Sequence, residues 1–370
     1  MRKLASIRKV SDIIPIDGAD SICSYKIDGW NVVDTIGKYN VGDLVIYIET
    51  DAWIPHEIAP FLSKGNEPKE FNGVKGERLR TIKLRKTLSQ GLILPLYGNG
   101  WVDGLISKFA TYESVANRPY PVWIENVTEH GYYIEPEYYE NDIFDIDLSE
   151  KLNIQKWEPP IPAELSGVMK GNFPSQIPKT DEERIQNLIS EFEEWKPNTI
   201  WEITEKLDGS SMTCYYINGE FGVCSRNIDL LKNETNSFWK MAIKYDLENK
   251  LIALNKNIAI QGELCGPGIQ NNRYKLTDHE FFVFNVYDVD TGNYFIAEQR
   301  QKLIQKLNLK HVPVIFSNYV IPVESTVNDI LLFAEGKSIL NPSSEREGIV
   351  FKTNSRSFKA ISNKYLLKFE

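Results

Sequence analysis

A lysine attacks phosphorus only when it is deprotonated and held in place, and the sequence offers two places where a lysine would be held. Lys206-Leu207-Asp208-Gly209 ends a strand-like run over 199–207 and enters an Asp-Gly turn. The lysine is therefore fixed by the strand and projects from its end. Lys26-Ile27-Asp28-Gly29 repeats the pattern near the N-terminus. One such match equally describes a surface lysine ahead of an ordinary turn, so the two are inseparable by themselves. The residues downstream of each separate them. After Lys206 come Ser225-Arg226-Asn227, then Gln261-Gly262-Glu263-Leu264-Cys265-Gly266, then Phe281-Phe282-Val283-Phe284-Asn285-Val286-Tyr287. Beyond those lie Glu347-Gly348-Ile349-Val350-Phe351-Lys352 and Ser357-Phe358-Lys359-Ala360. Nothing of that order stands after Lys26, which is a decoy.

The ordered blocks resemble the covalent nucleotidyltransferases (RNA ligases, DNA ligases and mRNA-capping enzymes) over about residues 178–370. PKTDEERIQN before the lysine, SRN after it and FKAISNKYLLK near the end are most similar to ATP-dependent RNA ligases. A β-rich region ahead of them resembles the branch with an N-terminal OB fold, which seals RNA nicks with 3′-OH and 5′-phosphate ends. The resemblance implies that Lys206 is the nucleophile that becomes AMP-lysine, with ATP as nucleotide and Mg2+ or Mn2+ as metal. Glu263 and Glu347 would hold that cation through oxygen, directly or through water. A free lysine with a pKa of about 10.4 is almost all ammonium at neutral pH, and nearby positive charge favours the neutral amine. Lys359 and Lys352 would neutralise charge on the phosphate under attack. Glu205 and Arg226 would contact the nucleotide, and Phe284, or Phe282 on the same strand face, would stack on adenine. Arg184 would reach the departing phosphates. Two features depart from the pattern. Some relatives carry K-x-K in the last block, whereas Ile361 stands at the second position here. The chain also stops just after that block, so neither a C-terminal clamping domain nor a C-terminal OB domain of the capping or DNA-ligase kind is expected.

These residues need elements to position them. The expected fold class is α+β: an N-terminal OB-like β-barrel over 1–156, a Pro-rich connection over 157–179, and a nucleotidyltransferase domain over 180–370. The resemblance makes the last an ATP-grasp-like ligase domain of antiparallel sheets with helices. Short strand-like runs at 41–49 and 91–96 point to a small β-barrel with an appended segment, which the resemblance makes OB-like, and five prolines within 157–179 carry the connection. Thr180-Asp181-Glu182-Glu183 reads as a capping box, followed by Ile185, Leu188, Ile189, Phe192 and Trp195 at helical spacing, with Pro197 ending the helix. A hairpin is expected over 211–225, turning at Asn218-Gly219, because that pair accepts positive φ.

Length and composition bound the alternatives. The 370 residues exceed what one compact core usually holds, and 42% hydrophobic with 25% charged residues is globular usage. No run approaches twenty apolar residues and no signal-like segment opens the chain, so no membrane partner is expected. Four cysteines without CxxC spacing read as reduced thiols in a cytoplasmic protein, which is separately expected to be a monomer. The net charge of -9 conceals an asymmetry. Residues 75–86 read KGERLRTIKLRK, whereas the acidic stretch 119–150 contains no Lys or Arg. Arg78, Arg80, Lys83 and Arg85 are therefore candidate RNA-binding residues, the competing view being that the run only balances the acidic segment. A DNA ligase, a capping guanylyltransferase and a catalytically inactive RNA-binding protein are the alternatives.

Overall fold

The computed structural model describes residues 3–95, 109–111, 121–123, 147–159 and 167–369. Most of the acidic 119–150 run and part of the Pro-rich connection lie outside the described residues. The chain divides into two compact units, 1–159 and 160–369.

The first unit is built on the long strand Ala5–Pro15, which serves two partners. Residues 5–9 pair with Leu44–Ile48 and residues 10–15 with Ile22–Ile27, and an irregularity between Val10 and Asp12 marks the change. With Trp30–Thr35 at one edge and Leu92–Pro95 at the other, five antiparallel strands result. Gln90 N–H donates to Asn31 O, so the segment entering the last strand also meets the first edge. This is the arrangement of the expected OB-like barrel. Trp30 stacks on Tyr47 inside it, with Tyr25, Val45 and Ile93 also buried. Lys26 lies opposite Asn31 in a barrel hairpin whose turn places Asp28 at φ 53°.

The second unit contains two antiparallel sheets. The larger runs Met169–Asn172, Ile228–Leu230, Glu220–Cys224, Ser210–Ile217, Ile258–Cys265, Glu280–Asp288 and Asn293–Tyr294, with Lys310–His311 added parallel to Glu280–Asp288. The smaller runs Val314–Val320, Ile200–Lys206, Gly348–Lys352 and Ser357–Ile361. Helices Ser237–Lys244 and Leu247–Ile252 bury Phe238, Trp239, Leu247 and Leu251 in the larger sheet's core. The smaller sheet shares Trp201, Ile203, Phe351 and Phe358 with the apolar faces of helices Ile189–Trp195 and Val327–Ala334. The Asn218-Gly219 turn has both residues at positive φ, 51° and 86°, joining Ser210–Ile217 to Glu220–Cys224.

The start of the first helix differs from expectation. The capping box at Thr180–Glu183 does not form: a 3-10 turn spans Ile185–Asn187, and the helix begins at Ile189 without a side-chain cap. Glu183 instead accepts from Arg184 N and Asn187 Nδ2, while the Thr180 hydroxyl pairs with Ser211. The apolar spacing was informative, since Ile185, Phe192 and Trp195 are buried.

Phe358 is fully buried, stacked on Phe351 at 4.5 Å and edge-on to Trp201 at 5.0 Å. Phe358→Ala should therefore lower stability by about 3–5 kcal/mol, read from the midpoint of denaturant unfolding.

Candidate active site

Strand register decides which side chains meet. In the smaller sheet Lys206 lies opposite Gly348, and Gly348 opposite Ile361. The next rows are Thr204, Val350 and Lys359, then Glu202, Lys352 and Ser357. Alternation puts these rows on one face and Trp201, Ile203, Ile349 and Phe351 on the other. At Gly348 a Cβ would come within 2.2 Å of Ala360 O, so backbones approach closely just where Glu347 enters. The Glu347 carboxylate thereby reaches Lys206, with Nζ donating to Oε1 at 2.5 Å.

Asp208 and Gly209 then carry the chain into the larger sheet. Glu263 lies there opposite Ser211, and a Cβ on Gly209 would stand 2.8 Å from the Glu263 Cγ. The turn thus brings the second carboxylate beside the lysine. Lys352 ties the sheets together, donating to Asn285 Oδ1 at 2.6 Å and Phe284 O at 3.2 Å, with its charge 5.0 Å from the Phe284 ring. Phe284 occupies an irregularity in the pairing between Asn285 and Val283. It shares a cluster with Phe282, Leu207 and Tyr274, but Phe282 is buried and Phe284 only partly so.

The charges are strongly coupled. Burial alone would pull the Lys206 ammonium down, but the Glu347 and Glu263 carboxylates outweigh it and hold it above its ordinary value. Burial pushes Glu263 up to about 8, against the pull of Lys206 and with Glu347 and Asp208 adding to the rise. Glu347 is also raised, again chiefly by burial, and its Oε2 is buried without a hydrogen bond. Lys352 is lowered to about 8 by burial. Two carboxylates that resist ionisation, one with an unsatisfied oxygen, fit a hard cation. Among the described residues no three His, Cys, Asp or Glu side chains cluster at ligand spacing. A cation held by Glu263 and Glu347 would take its remaining ligands from water or phosphate oxygens.

Residues 178–183 run from one sheet to the other. Pro178 O accepts from Gln261 Nε2, Lys179 Nζ donates to Asn227, and Arg226 pairs with Asp181 at 2.8 Å. Ser357 donates to Glu182, and Lys359 N–H donates to Glu183 O. Arg184 forms a parallel bridge with Lys359. The structure therefore brings Lys206, Glu263 and Glu347 together, with Phe284, Lys352 and Lys359 on the surrounding strands and Arg184 and Arg226 beside the connecting segment. Glu205 is not among them: its side chain is buried on the Trp201 face and accepts from Ile339 N. Asn285 and Tyr365 fall inside the blocks singled out in the sequence but were assigned no role there, and Arg273 lies outside every block.

In the first unit, Arg80, Lys83 and Arg85 are exposed, the last two on the hairpin of Ile82–Leu84 and Thr87–Ser89. Arg78 differs from them. It pairs with Asp51 at 2.5 Å and lies 3.7 Å from the Trp157 ring, so it contributes to packing within the unit.

A family model described as RNA ligase matches residues 199–369, and one for an OB-fold domain matches 4–96. Among solved structures, an apo point variant of Naegleria gruberi RNA ligase superposes with a TM-score of 0.77 at 39% identity, covering 100% of this chain and 99% of that one. Another variant of the same enzyme, with ATP and Mn, gives 0.76 at 39% identity, covering 99% of each chain. The enzyme with pyrophosphate gives 0.75 at 39% identity, covering 100% of this chain and 99% of that one. No curated protein matches the chain.

Proposed function

The chain belongs to the RNA ligase family, and from that premise we propose that it is an ATP-dependent ligase sealing RNA with 3′-OH and 5′-phosphate ends, in nicked duplexes or at paired ends. The observation that carries this reading is the Lys206–Glu347 contact at 2.5 Å, beside Glu263 at the junction of the two sheets.

The reaction has three steps. The Lys206 amine attacks the ATP α-phosphorus, a P–N bond forms and pyrophosphate leaves, giving lysyl-AMP. An RNA 5′-phosphate oxygen then attacks that phosphorus, the P–N bond breaks, and the AMP sits on the RNA end as a phosphoanhydride. Finally the neighbouring 3′-OH attacks the RNA 5′-phosphorus, AMP leaves and the hydroxyl proton is lost to solvent. A divalent cation held by Glu263 and Glu347, directly or through water, would supply positive charge at the phosphates and offset the field that keeps Lys206 protonated. Lys206 must lose its proton and its tie to Glu347 before it attacks. Lys359 and Lys352 lie on the Lys206 face and offer positive charge where negative charge grows. Phe284 offers a partly open ring for adenine, and Arg226 and Arg184 are proposed to contact ribose or phosphate oxygens. The Glu205 carboxylate accepts from Ile339 N and its backbone N–H donates to Pro313 O, so it offers the nucleotide neither group. The four buried free thiols suit a reducing cytoplasm, where the protein is proposed to act as a monomer.

Incubation with labelled ATP or GTP, then a denaturing gel, separates adenylyl from guanylyl transfer. Nicks ending in ribose or deoxyribose separate RNA from DNA sealing, since the 2′-OH is the group that differs. Exclusive guanylylation, or binding of nicked RNA with no covalent adduct, would overturn the reading.

The exposed basic hairpin is proposed to grip RNA backbone. Replacing Arg80, Lys83 and Arg85 by Ala should weaken RNA binding and lower the slope of log affinity against log salt by about 0.7–0.9 for each phosphate no longer neutralised. Self-adenylylation should persist. Unchanged RNA affinity with a lower melting temperature would instead favour the charge-balancing role. Arg78 is left intact because its loss would disturb Asp51 and Trp157.

A further inference from the structure

We infer that Arg273 and Tyr365 are positioning residues for the nucleophile, acting through Asp208; the inference rests on the ligase reading. Asp208 stands two residues beyond Lys206, in the turn that leaves the smaller sheet. Its carboxylate Oδ2 accepts from Arg273 Nε at 2.5 Å and from the Tyr365 hydroxyl. Its backbone N–H donates to the Tyr274 hydroxyl at 2.6 Å. The turn is thus held at its side chain and its main chain at once.

The holders are themselves fixed. Arg273 O accepts from Asn341 Nδ2 at 2.7 Å. The Arg273 guanidinium lies 3.9 Å from the Phe369 ring and 5.2 Å from the Tyr365 ring, both on the helix Asn363–Phe369. The Arg273 and Asp208 side chains are only 14% and 13% exposed, so the pair gives up hydration that a surface pair would keep. Such a pair is poor at adding stability and good at fixing geometry. It fixes the end of the Lys206 strand, where a loose turn would let the amine wander from the line of attack. The last helix of the chain therefore reaches the reaction through one arginine and one carboxylate.

Sealing a nick whose 5′ end is already adenylylated requires no attack by Lys206, and this separates positioning of the nucleophile from other roles. Arg273→Gln in the full chain should slow single-turnover self-adenylylation at saturating ATP about tenfold or more, with half-saturating ATP changed by under about threefold. Sealing of the pre-adenylylated nick should stay within about twofold of wild type. Arg273→Lys should recover part of the loss. Tyr365→Phe keeps the ring beside Arg273 and loses only the hydroxyl; it should slow the same step, and it serves if Arg273→Gln does not fold. Wild-type adenylylation in both variants, an equal loss in sealing, or a raised ATP requirement at unchanged rate would each overturn the inference. Absence of any adduct on the wild-type protein would overturn the ligase reading instead.

Discussion

Lys206→Ala is expected to abolish the covalent nucleotide adduct, a loss on the order of 10⁴-fold or more, because it removes the amine held between Glu347 and Glu263. Lys26→Ala should leave adduct formation within about twofold of wild type, since Lys26 lies in the first unit and Glu347 and Glu263 in the second. The two lysines share the KxDG pattern, but their settings differ. Lys26 sits in a barrel hairpin, with its ordinary pKa lowered by burial and Asp12 opposing that shift. Lys206 faces Glu347 and Glu263 at the junction of two sheets. A gel of labelled protein after incubation with ATP reads both variants, and label on Lys206→Ala comparable to wild type would place the nucleophile elsewhere.

The second large effect is expected at the carboxylates. Glu347→Ala and Glu263→Ala should each lower the rate of self-adenylylation by about 10²–10³-fold, the usual consequence of losing an electrostatic contributor to charge transfer. The direction is informative because two effects of Glu347 oppose one another. Its hydrogen bond holds Lys206 as the ammonium, so removing it would by itself favour the reactive amine and raise the rate at neutral pH. If Glu347 chiefly helps to bind the divalent cation, removal lowers the rate and shifts the metal titration to higher concentration. A rate equal to or above wild type across that titration would exclude Glu347 from metal binding.

Local signals in the sequence proved reliable where the physics is local. Asn218-Gly219 makes a hairpin because both residues tolerate positive φ, and that needs no knowledge of distant neighbours. A small β-barrel was legible from short strands and turn residues, its OB character came from the family resemblance, and the order of the later blocks distinguished Lys206 from Lys26. Where side chains do other than their local type suggests, the cause is competition from elsewhere in the chain. Thr180 and Glu183 have the types of a capping box, but Ser211 and Asn187 engage their side chains. Glu205 adjoins the nucleophile in sequence, yet strand alternation turns its side chain to the opposite face. Arg78 belongs to a basic run by composition, whereas Asp51 and Trp157 draw it into packing. Arg273 and Tyr365 reach Asp208 from 65 and 157 residues away, a juxtaposition that no local pattern announces.

The central claim is that Lys206 carries AMP as a covalent intermediate. Intact mass of the full chain after incubation with ATP and Mg2+ or Mn2+, followed by peptide mapping, tests it most directly. The account predicts a gain of one AMP, located on the peptide containing Lys206 and lost when 5′-phosphate RNA is added. An unchanged mass over a full metal titration, or AMP located on Lys26, would contradict it.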